Sequence, residues 1–175
     1  MTQQSGLKPI FRAEHIGSLL RPTELRTGFR QLNGGAISQE QFVEIQNRAV
    51  RDVVAMQEDI GLPCVTDGEF RRTSYWSHVV EAVDGLGVAP ARFKFRDGEG
   101  NQTEFLSPHI ESRIKRTKSY SSLEAGFLLS ATNGAAKVTM PSPSTMHFWN
   151  DNQYLQRGVY PDASEYFRDL TLVYQ

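Results

Sequence analysis

The chain has 175 residues, which fits one domain and is too short for a complete eight-fold βα barrel of about 250 residues. It carries 19 Lys and Arg against 20 Asp and Glu, and without a cationic excess we expect no nucleic-acid partner. No apolar run is long enough to span a membrane and the first residues lack the core of a signal peptide, so we predict a cytoplasmic protein with no membrane partner. A single cysteine, Cys64, excludes an internal disulfide and a zinc site of the Cys₄ or Cys₂His₂ type within this chain.

The N-terminal part of the chain predicts a short strand followed by a turn-rich connection. Residues 1–9 are predicted to be flexible because they are polar and terminal. Residues 9–18 predict a strand that ends at Gly17, and a short helix is predicted over 23–32 before the turn at Asn33-Gly34-Gly35.

The clearest predicted helix begins after Ser38, where Gln41 completes a capping box, and ends at Gly61. A buried strand over 63–66 follows it, and this order of helix, glycine turn and strand is typical of βα units with a parallel sheet. The apolar face of this helix is predicted to consist of Phe42, Ile45, Ala49, Val53, Met56 and Ile60.

The second half of the chain continues with further short elements, giving about four βα-like units and one inserted hairpin. A capping box at Ser121 and Glu124 predicts the start of one helix, and Asp162 with Glu165 predicts the start of the last one. The last helix has a predicted apolar face that includes Phe167, Leu170 and Val173. The predicted elements are a helix over 75–83, a β-hairpin of 91–95 with 102–106, a strand over 110–115, a helix over 121–131, a strand over 137–140 broken by the following PSPS segment, and a helix over 162–175.

Three polar motifs come directly after predicted strands, at residues 15–18, 67–69 and 141–144. Since the carboxyl ends of parallel strands face the active site in α/β folds, we expect these motifs to form one pocket. No GxGxxG or Walker loop occurs, so no nucleotide cofactor is predicted.

The first two motifs suit an amino-acid ligand. The backbone N–H groups and hydroxyl of Gly17 and Ser18 suit a carboxylate, although an ordinary strand-ending turn is an equal interpretation. Glu69, two residues after Asp67, could hold an ammonium through charge-assisted hydrogen bonds. The alternative is that both acids are solvated and paired with Arg71-Arg72.

The third motif continues as PSPSTMHFW, which predicts a rigid loop. Ser144 and His147 supply polar groups, and Phe148 and Trp149 supply flat surfaces on which a heteroaromatic ring could stack. The alternative is a rigid loop whose aromatic side chains enter the core.

Three further features allow a functional and a structural interpretation. His15 is a possible proton carrier or ligand, or else a structural histidine. The cationic run over 113–118 could attract a polyanionic tail, or else be a solvated surface. Cys64 lies in an apolar segment and is predicted to be buried and inert.

Together these motifs resemble the cobalamin-independent methionine synthase family, and in particular its short, single-barrel members. The resemblance covers residues 10–175. It rests on four segments in this order: FRAEHIGSLLRP at 11–22, QEDIGL at 57–62, TDGEFRR at 66–72 and MPSPSTMHF at 140–148.

The resemblance implies a (βα)₈-type barrel that transfers a methyl group from 5-methyltetrahydrofolate to the thiol of homocysteine, without cobalamin. It implies that Ile16, Gly17 and Ser18 hold the amino-acid part of homocysteine and that Glu69 holds its ammonium. Arg113 matches a folate-contacting arginine and Trp149 a pterin-stacking tryptophan. His15 stands where the longer family members carry Thr, and related single-barrel proteins act on other thiols such as coenzyme M.

The family's zinc ion makes the thiol a thiolate, and its ligands are a His-x-Cys pair, a Glu and a further Cys. This chain supplies none of them, so we expect residues 10–175 to be the N-terminal half of such a barrel and to be inactive alone. Two alternatives stay open. One is a non-catalytic half-barrel that binds an amino acid or self-associates through open strand edges, and the other is a different thiol transferase that needs a partner chain.

Overall fold

The computed structural model describes residues 13–175, so the predicted flexible segment and the beginning of the predicted strand over 9–18 lie outside the described residues. The chain divides into two compact units, which we describe separately. The first unit contains the described residues up to Phe70 together with Ala125–Val138, and the second contains Arg71–Glu124 and Thr139–Gln175. In chain order the elements are α1 (Thr23–Asn33), α2 (Gln39–Asp59), β1 (Cys64–Val65), α3 (Ser77–Val80), β2 (Val83–Pro90), β3 (Phe95–Arg96), β4 (Gln102–Thr103), β5 (Leu106–Arg116), α4 (Ser122–Ala131), β6 (Ala135–Ala136), α5 (Pro143–Asn150), α6 (Gln153–Gln156) and α7 (Ala163–Tyr174).

Helix α2 begins and ends where the sequence predicts. The Ser38 Oγ accepts from the Gln41 N–H at 3.2 Å, and the Ser38 N–H donates to the Gln41 side chain at 2.8 Å, which is a complete capping box. At the other end Gly61 adopts φ +78° and its N–H donates to the Glu58 carbonyl at 2.9 Å. Both predicted signals of this helix are therefore confirmed.

The buried face of α2 differs in part from the predicted one. Met56 and Ile60 are 42% and 61% exposed, whereas Val50 and Val54 are buried. The face that packs into the unit also includes the polar Gln57, which an apolar pattern cannot select. The core of the first unit is formed by Leu25, Phe42, Ala49, Val50, Val53, Val54, Val65, Phe70 and Leu128.

The first unit contains a parallel strand pair, β1 with β6, in which Val65 lies opposite Ala136. The predicted strand over 63–66 is confirmed, but the strand predicted over 137–140 is wrong, because β6 ends at Ala136. The main chain over 13–18 is irregular, with a bend at Gly17, so the described part of that predicted strand is also wrong. Among residues 13–175 the other two sheets are antiparallel pairs, and no barrel closes. The α/β class is confirmed, but this part of the chain does not show four parallel βα units.

The second unit is built around a long antiparallel ladder of β2 with β5. The predicted hairpin is present as β3 with β4, although shorter than predicted. Strand β2 was not predicted, because its sequence VDGLGVAP is rich in glycine and ends in proline. Gly85 allows a bulge there: it adopts φ +83°, and a Cβ would lie 2.5 Å from the Arg113 carbonyl oxygen. Helix α3 is shorter than predicted because Val83 already belongs to β2.

Helices α4 and α7 match their predicted bounds, but only one of the two predicted helix starts has its cap. The Asp162 carboxylate accepts from the Glu165 N–H at 2.9 Å. The Glu124 carboxylate instead forms a buried ion pair with Arg72, at 2.6 Å between Nη2 and Oε2. The cap predicted at Ser121 is therefore wrong: the hydroxyl of Ser121 is buried and has no hydrogen-bond partner within the described chain. On α7 the predicted Phe167 is 42% exposed, while Tyr166, Leu170 and Val173 are buried.

The segment predicted as a rigid loop over 141–149 is mostly helix α5. The Ser142 Oγ accepts from the Thr145 N–H at 3.2 Å, and Pro143 occupies the first turn. Proline is favoured there because the first helical N–H has no partner within the helix. The core of this unit includes Trp76, Val79, Ile110, Met146, Tyr154, Tyr160, Tyr166 and Leu170.

Candidate functional site

In the first unit, the segment over 15–19 lies alongside the turn that follows β1. The Thr66 hydroxyl donates to the Gly17 carbonyl at 2.9 Å and accepts from the Gly68 N–H at 3.1 Å. The Leu19 N–H donates to the Gly68 carbonyl at 3.1 Å. The structure thus brings two of the three predicted motifs together, although the first follows irregular chain rather than a strand.

The turn after β1 holds a carboxylate in an unusual backbone conformation. Gly68 and Glu69 adopt φ +66° and +59°, and the Phe70 N–H donates back to the Asp67 carbonyl at 3.4 Å. A left-handed conformation costs a residue with a Cβ about 1–2 kcal/mol, and such residues concentrate at functional sites. The Asp67 Oδ1 supports the turn by accepting from the Glu69 N–H at 2.9 Å.

Asp67 and Glu69 are buried rather than solvated. Each is 6% exposed, so the solvated part of the alternative interpretation is wrong, while pairing with Arg71-Arg72 stays open. Both residues take part in interactions within the chain, and the Arg21 guanidinium donates to the Glu69 carbonyl at 3.4 Å. A carboxylate oxygen can accept more than one hydrogen bond, so a ligand ammonium could add to these contacts.

The backbone at Gly17 and Ser18 offers hydrogen-bond donors, whereas the nearby Glu69 carboxylate offers acceptors. Within residues 13–175, the N–H groups of Gly17 and Ser18 donate no hydrogen bond. Gly17 is buried, whereas the Ser18 side chain is exposed and Ile16 is 90% exposed. Backbone N–H donors beside a buried carboxylate match the two ends of a zwitterionic amino acid.

Gln57 is the first residue of the QEDIGL segment but was not among the predicted site residues, and it joins these pieces. Gln57 on α2 is fully buried, and its Oε1 lies 3.0 Å from the Nδ1 of half-buried His15. The same side chain bonds both the N–H and the carbonyl of Thr66, at 3.0 and 2.7 Å. A glutamine on the core-facing side of a helix was the available signal.

The second unit has a groove of about 460 Å³ that contains Ser144, His147 and Trp149. The structure therefore brings these three predicted residues together. The groove is also lined by Arg92 and Asp151, which form an ion pair at 3.0 Å, and by Phe93 and Phe148. The Nδ1 of His147 is buried without a hydrogen-bond partner in the described chain.

The rings around Trp149 decide which surface a ligand would meet. Phe93 stacks on Trp149 with centroids 5.5 Å apart and planes 4° apart, and the Trp149 indole N–H donates to the Tyr75 hydroxyl at 3.2 Å. Phe148 is 59% exposed and is the more open ring of the groove.

Arg113 lies on a different groove of the second unit, beside Lys115 and Arg116. Its guanidinium bonds Glu165 at 2.6 Å and Asp169 at 3.2 Å, and these contacts, led by the Glu165 hydrogen bond, raise the pKa of Arg113. It does not line the groove that holds Trp149.

Residues 13–175 show neither a cluster of metal ligands nor a membrane-spanning helix. No three His, Cys, Asp or Glu side chains are grouped so as to hold a metal ion there. Cys64 is half-buried rather than fully buried, and it is a free thiol. In that same part of the chain, none of the helices has the length and apolarity to cross a membrane.

Comparison with known proteins shows which protein family this chain belongs to. The sequence model of the family "Cobalamin-independent synthase, Catalytic domain" matches residues 11–119. The chain therefore belongs to the cobalamin-independent methionine synthase family.

Three relatives show how far the similarity extends along the chain. Protein YxjH of Bacillus subtilis is 34% identical over 96% of this chain and 44% of its own length. The 5-methyltetrahydropteroyltriglutamate–homocysteine methyltransferase of Thermotoga petrophila is 26% identical over 85% of this chain and 20% of its own length. A crystal structure of a candidate vitamin-B12-independent methionine synthase from Listeria monocytogenes superposes with a TM-score of 0.70 at 29% identity, covering 94% of this chain and 46% of that one. The chain thus spans less than half the length of these relatives.

Proposed function

We propose that this chain provides the amino-acid-binding part of a methyltransferase site that acts on a homocysteine-like thiol, in the manner of methionine synthesis. The observation that carries the proposal is buried Glu69, held at φ +59° close to the N–H groups of Gly17 and Ser18, which donate no hydrogen bond within residues 13–175. In this arrangement Glu69 accepts from the ligand ammonium, and the two N–H groups donate to its carboxylate. Ile16 covers the ligand's apolar carbons and Asp67 keeps the turn in place.

We propose that the methyl donor is a folate and that its flat ring enters the groove of the second unit. Ser144 and His147 supply hydrogen-bonding groups there, and Trp149 forms the groove wall. Because Phe93 covers one face of Trp149, the donor ring stacks on Phe148 or on the remaining indole face. The cationic strand around Arg113 is a separate surface that attracts the donor's anionic tail.

The zinc ion implied by the family does not fit the residues of this chain that the structure describes. The described residues provide no group of three ligands, and Cys64 offers a single half-buried thiol. We derive no step through a metal, and we expect the 175-residue chain by itself to bind the amino acid without methyl transfer.

Calorimetric titration of the full chain with L-homocysteine tests the proposal. Glu69→Gln is expected to weaken binding about 10- to 100-fold, since a hydrogen bond to a charged group contributes about 1.5–3 kcal/mol. The matched control is Glu14→Gln, because Glu14 is an exposed carboxylate of the same unit, 3.2 Å from Lys137. Equal affinities for Glu69→Gln and the unsubstituted chain would refute the clamp, and methionine formation from methyltetrahydrofolate would refute the expected inactivity.

A coenzyme M-type thiol is the competing substrate class. It has no ammonium group to donate to the buried Glu69 carboxylate, so only its sulfonate could be bound, by the N–H groups of Gly17 and Ser18. Titration with 2-mercaptoethanesulfonate under the same conditions separates the two classes: the clamp predicts binding weaker than that of L-homocysteine.

A second candidate role is self-association of the first unit. Leu20 and Leu129 are 92% and 64% exposed, and the β1–β6 pair has unpaired edges among the described strands. Large exposed apolar side chains and open edges favour association. Light scattering is expected to show concentration-dependent mass that Leu20→Glu reduces, and a monomer at all concentrations would refute this role.

A further inference from the structure

The amide of Gln57 has only one orientation that satisfies its surroundings. Its Nε2 donates to the carbonyls of Val53 and Thr66 at 2.9 and 2.7 Å, and its Oε1 accepts from the Thr66 N–H at 3.0 Å. Exchanging the oxygen and nitrogen would place an acceptor against two carbonyls and a donor against an N–H group. The side chain is fully buried, so water cannot compensate for such an exchange.

This fixed orientation determines the proton position on His15. The Gln57 oxygen lies 3.0 Å from the His15 Nδ1 and can only accept, so Nδ1 carries the hydrogen. In a neutral imidazole the other nitrogen, Nε2, then has a lone pair. Within residues 13–175 that nitrogen forms no hydrogen bond, and His15 is half-buried.

We propose that Gln57 is a positioning residue that holds His15 with its proton on Nδ1, so that Nε2 accepts a hydrogen bond from the ligand ammonium. This inference rests on the proposed function, because it assigns a second ammonium acceptor to the same amino-acid clamp. His15 is connected to the clamp in two ways. It precedes Gly17 by two residues, and Gln57 also bonds Thr66, whose hydroxyl donates to the Gly17 carbonyl. An α-amino group is therefore recognised by a carboxylate and by an imidazole nitrogen of set protonation.

The tautomer is measured directly by long-range ¹H–¹⁵N NMR on histidine-labelled full chain above neutral pH. The chain has four histidines, and His15→Asn identifies the His15 signals by their loss. The expected result is a protonated Nδ1 and an unprotonated Nε2 in the unsubstituted chain. Gln57→Leu, which lacks the acceptor, should give mainly the Nε2-protonated form that predominates in free peptides.

The unsubstituted chain alone can overturn the inference, even if Gln57→Leu does not fold. An Nε2-protonated His15 would mean that Gln57 does not set the tautomer. This result would leave the Glu69 clamp untouched, so failure of the inference and failure of the proposed function are distinguishable.

The ligand contact has its own readout. His15→Ala should weaken L-homocysteine binding about tenfold, as for loss of one charge-assisted hydrogen bond, and leave binding of the des-amino analogue 4-mercaptobutyrate unchanged. A merely structural role of His15 would weaken both ligands equally, and that outcome, or no effect on either, would refute the contact. If the unsubstituted chain shows the expected tautomer but binds no L-homocysteine, the proposed function fails while the role of Gln57 in setting the tautomer stands.

Discussion

Replacing His78 with Phe should remove an acid sensitivity from the folding of this protein. His78 is 7% exposed, and within the described chain neither ring nitrogen has a hydrogen-bond partner. Its ring packs edge to face against Tyr120 at 5.9 Å. Burial, with a smaller contribution from the Arg72 charge, lowers the pKa of His78 from 6.5 to about 4.

The direction of the pH effect follows from which state binds the proton. Between pH 6.5 and 4 the histidine of the unfolded chain is protonated while folded His78 is still neutral. Acid therefore favours unfolding in that interval, and the stability that is fully present above the unfolded pKa declines as pH falls. The difference between the two pKa values corresponds to about 3 kcal/mol below pH 4, of which about 2 kcal/mol is already lost at pH 5.

Urea denaturation at pH 8 and pH 5 measures this effect. His78→Phe keeps a ring against Tyr120 but cannot be protonated, so it should lose about 2 kcal/mol less than the unsubstituted chain over this interval. His109→Gln serves as a control, since the His109 ring is only half-buried and its replacement should leave most of the pH dependence. Identical pH slopes for His78→Phe and the unsubstituted chain would show that His78 is hydrated or hydrogen-bonded in solution, and the reasoning would fail.

Three further substitutions test packing and backbone geometry. Glu124→Gln removes the carboxylate partner of buried Arg72 and should lower the free energy of unfolding by about 3–5 kcal/mol. The control is Glu24→Gln, because the Arg48–Glu24 pair has side chains that are each 61% exposed and its loss should cost at most about 1 kcal/mol. Equal urea midpoints for the two variants would contradict this difference. Gly68→Ala places a Cβ 2.8 Å from an aromatic ring at φ +66° and should lower the thermal midpoint, while Gly98→Ala, with open space around it, should not. Ser38→Ala removes the α2 cap and should cost about 1 kcal/mol by thermal denaturation, and an unchanged midpoint would count against the cap.

Local signals in the sequence predicted helix ends better than strand partners. The Ser38 cap and the Gly61 stop each depend on residues within four positions, so the sequence contains all that is needed. The Ser142-Pro143 start of α5 is equally local, but the two prolines were interpreted as ending a strand and stiffening a loop rather than as the first turn of a helix. Strand β2 and the short β6 depend on partners many residues away, which no local pattern specifies.

In the candidate site, the contact between two of the motifs was predicted, whereas the partners of Arg113 were not. The order of the motifs predicted that the segment over 15–18 and the turn over 67–69 would be neighbours, and hydrogen bonds from Thr66 to Gly17 and from Leu19 to Gly68 join these two segments. The role of Arg113 came from the family resemblance, and its ion pairs with α7 appear only once the fold brings that helix against β5.

Gln57 explains why the turn begins where it does. A strand residue in a sheet bonds a neighbouring strand through its N–H and its carbonyl, and at Thr66 the Gln57 side chain occupies both groups. The main chain is thereby released from strand pairing one residue after β1 while its buried polar groups stay satisfied. The turn that carries Glu69 can then form, and the same amide oxygen orients His15. A leucine at this position would suit the apolar face of α2, yet it would leave Thr66 unpaired and His15 undirected. An apolar pattern does not select Gln57, yet this side chain is the one that joins α2, the end of β1 and His15.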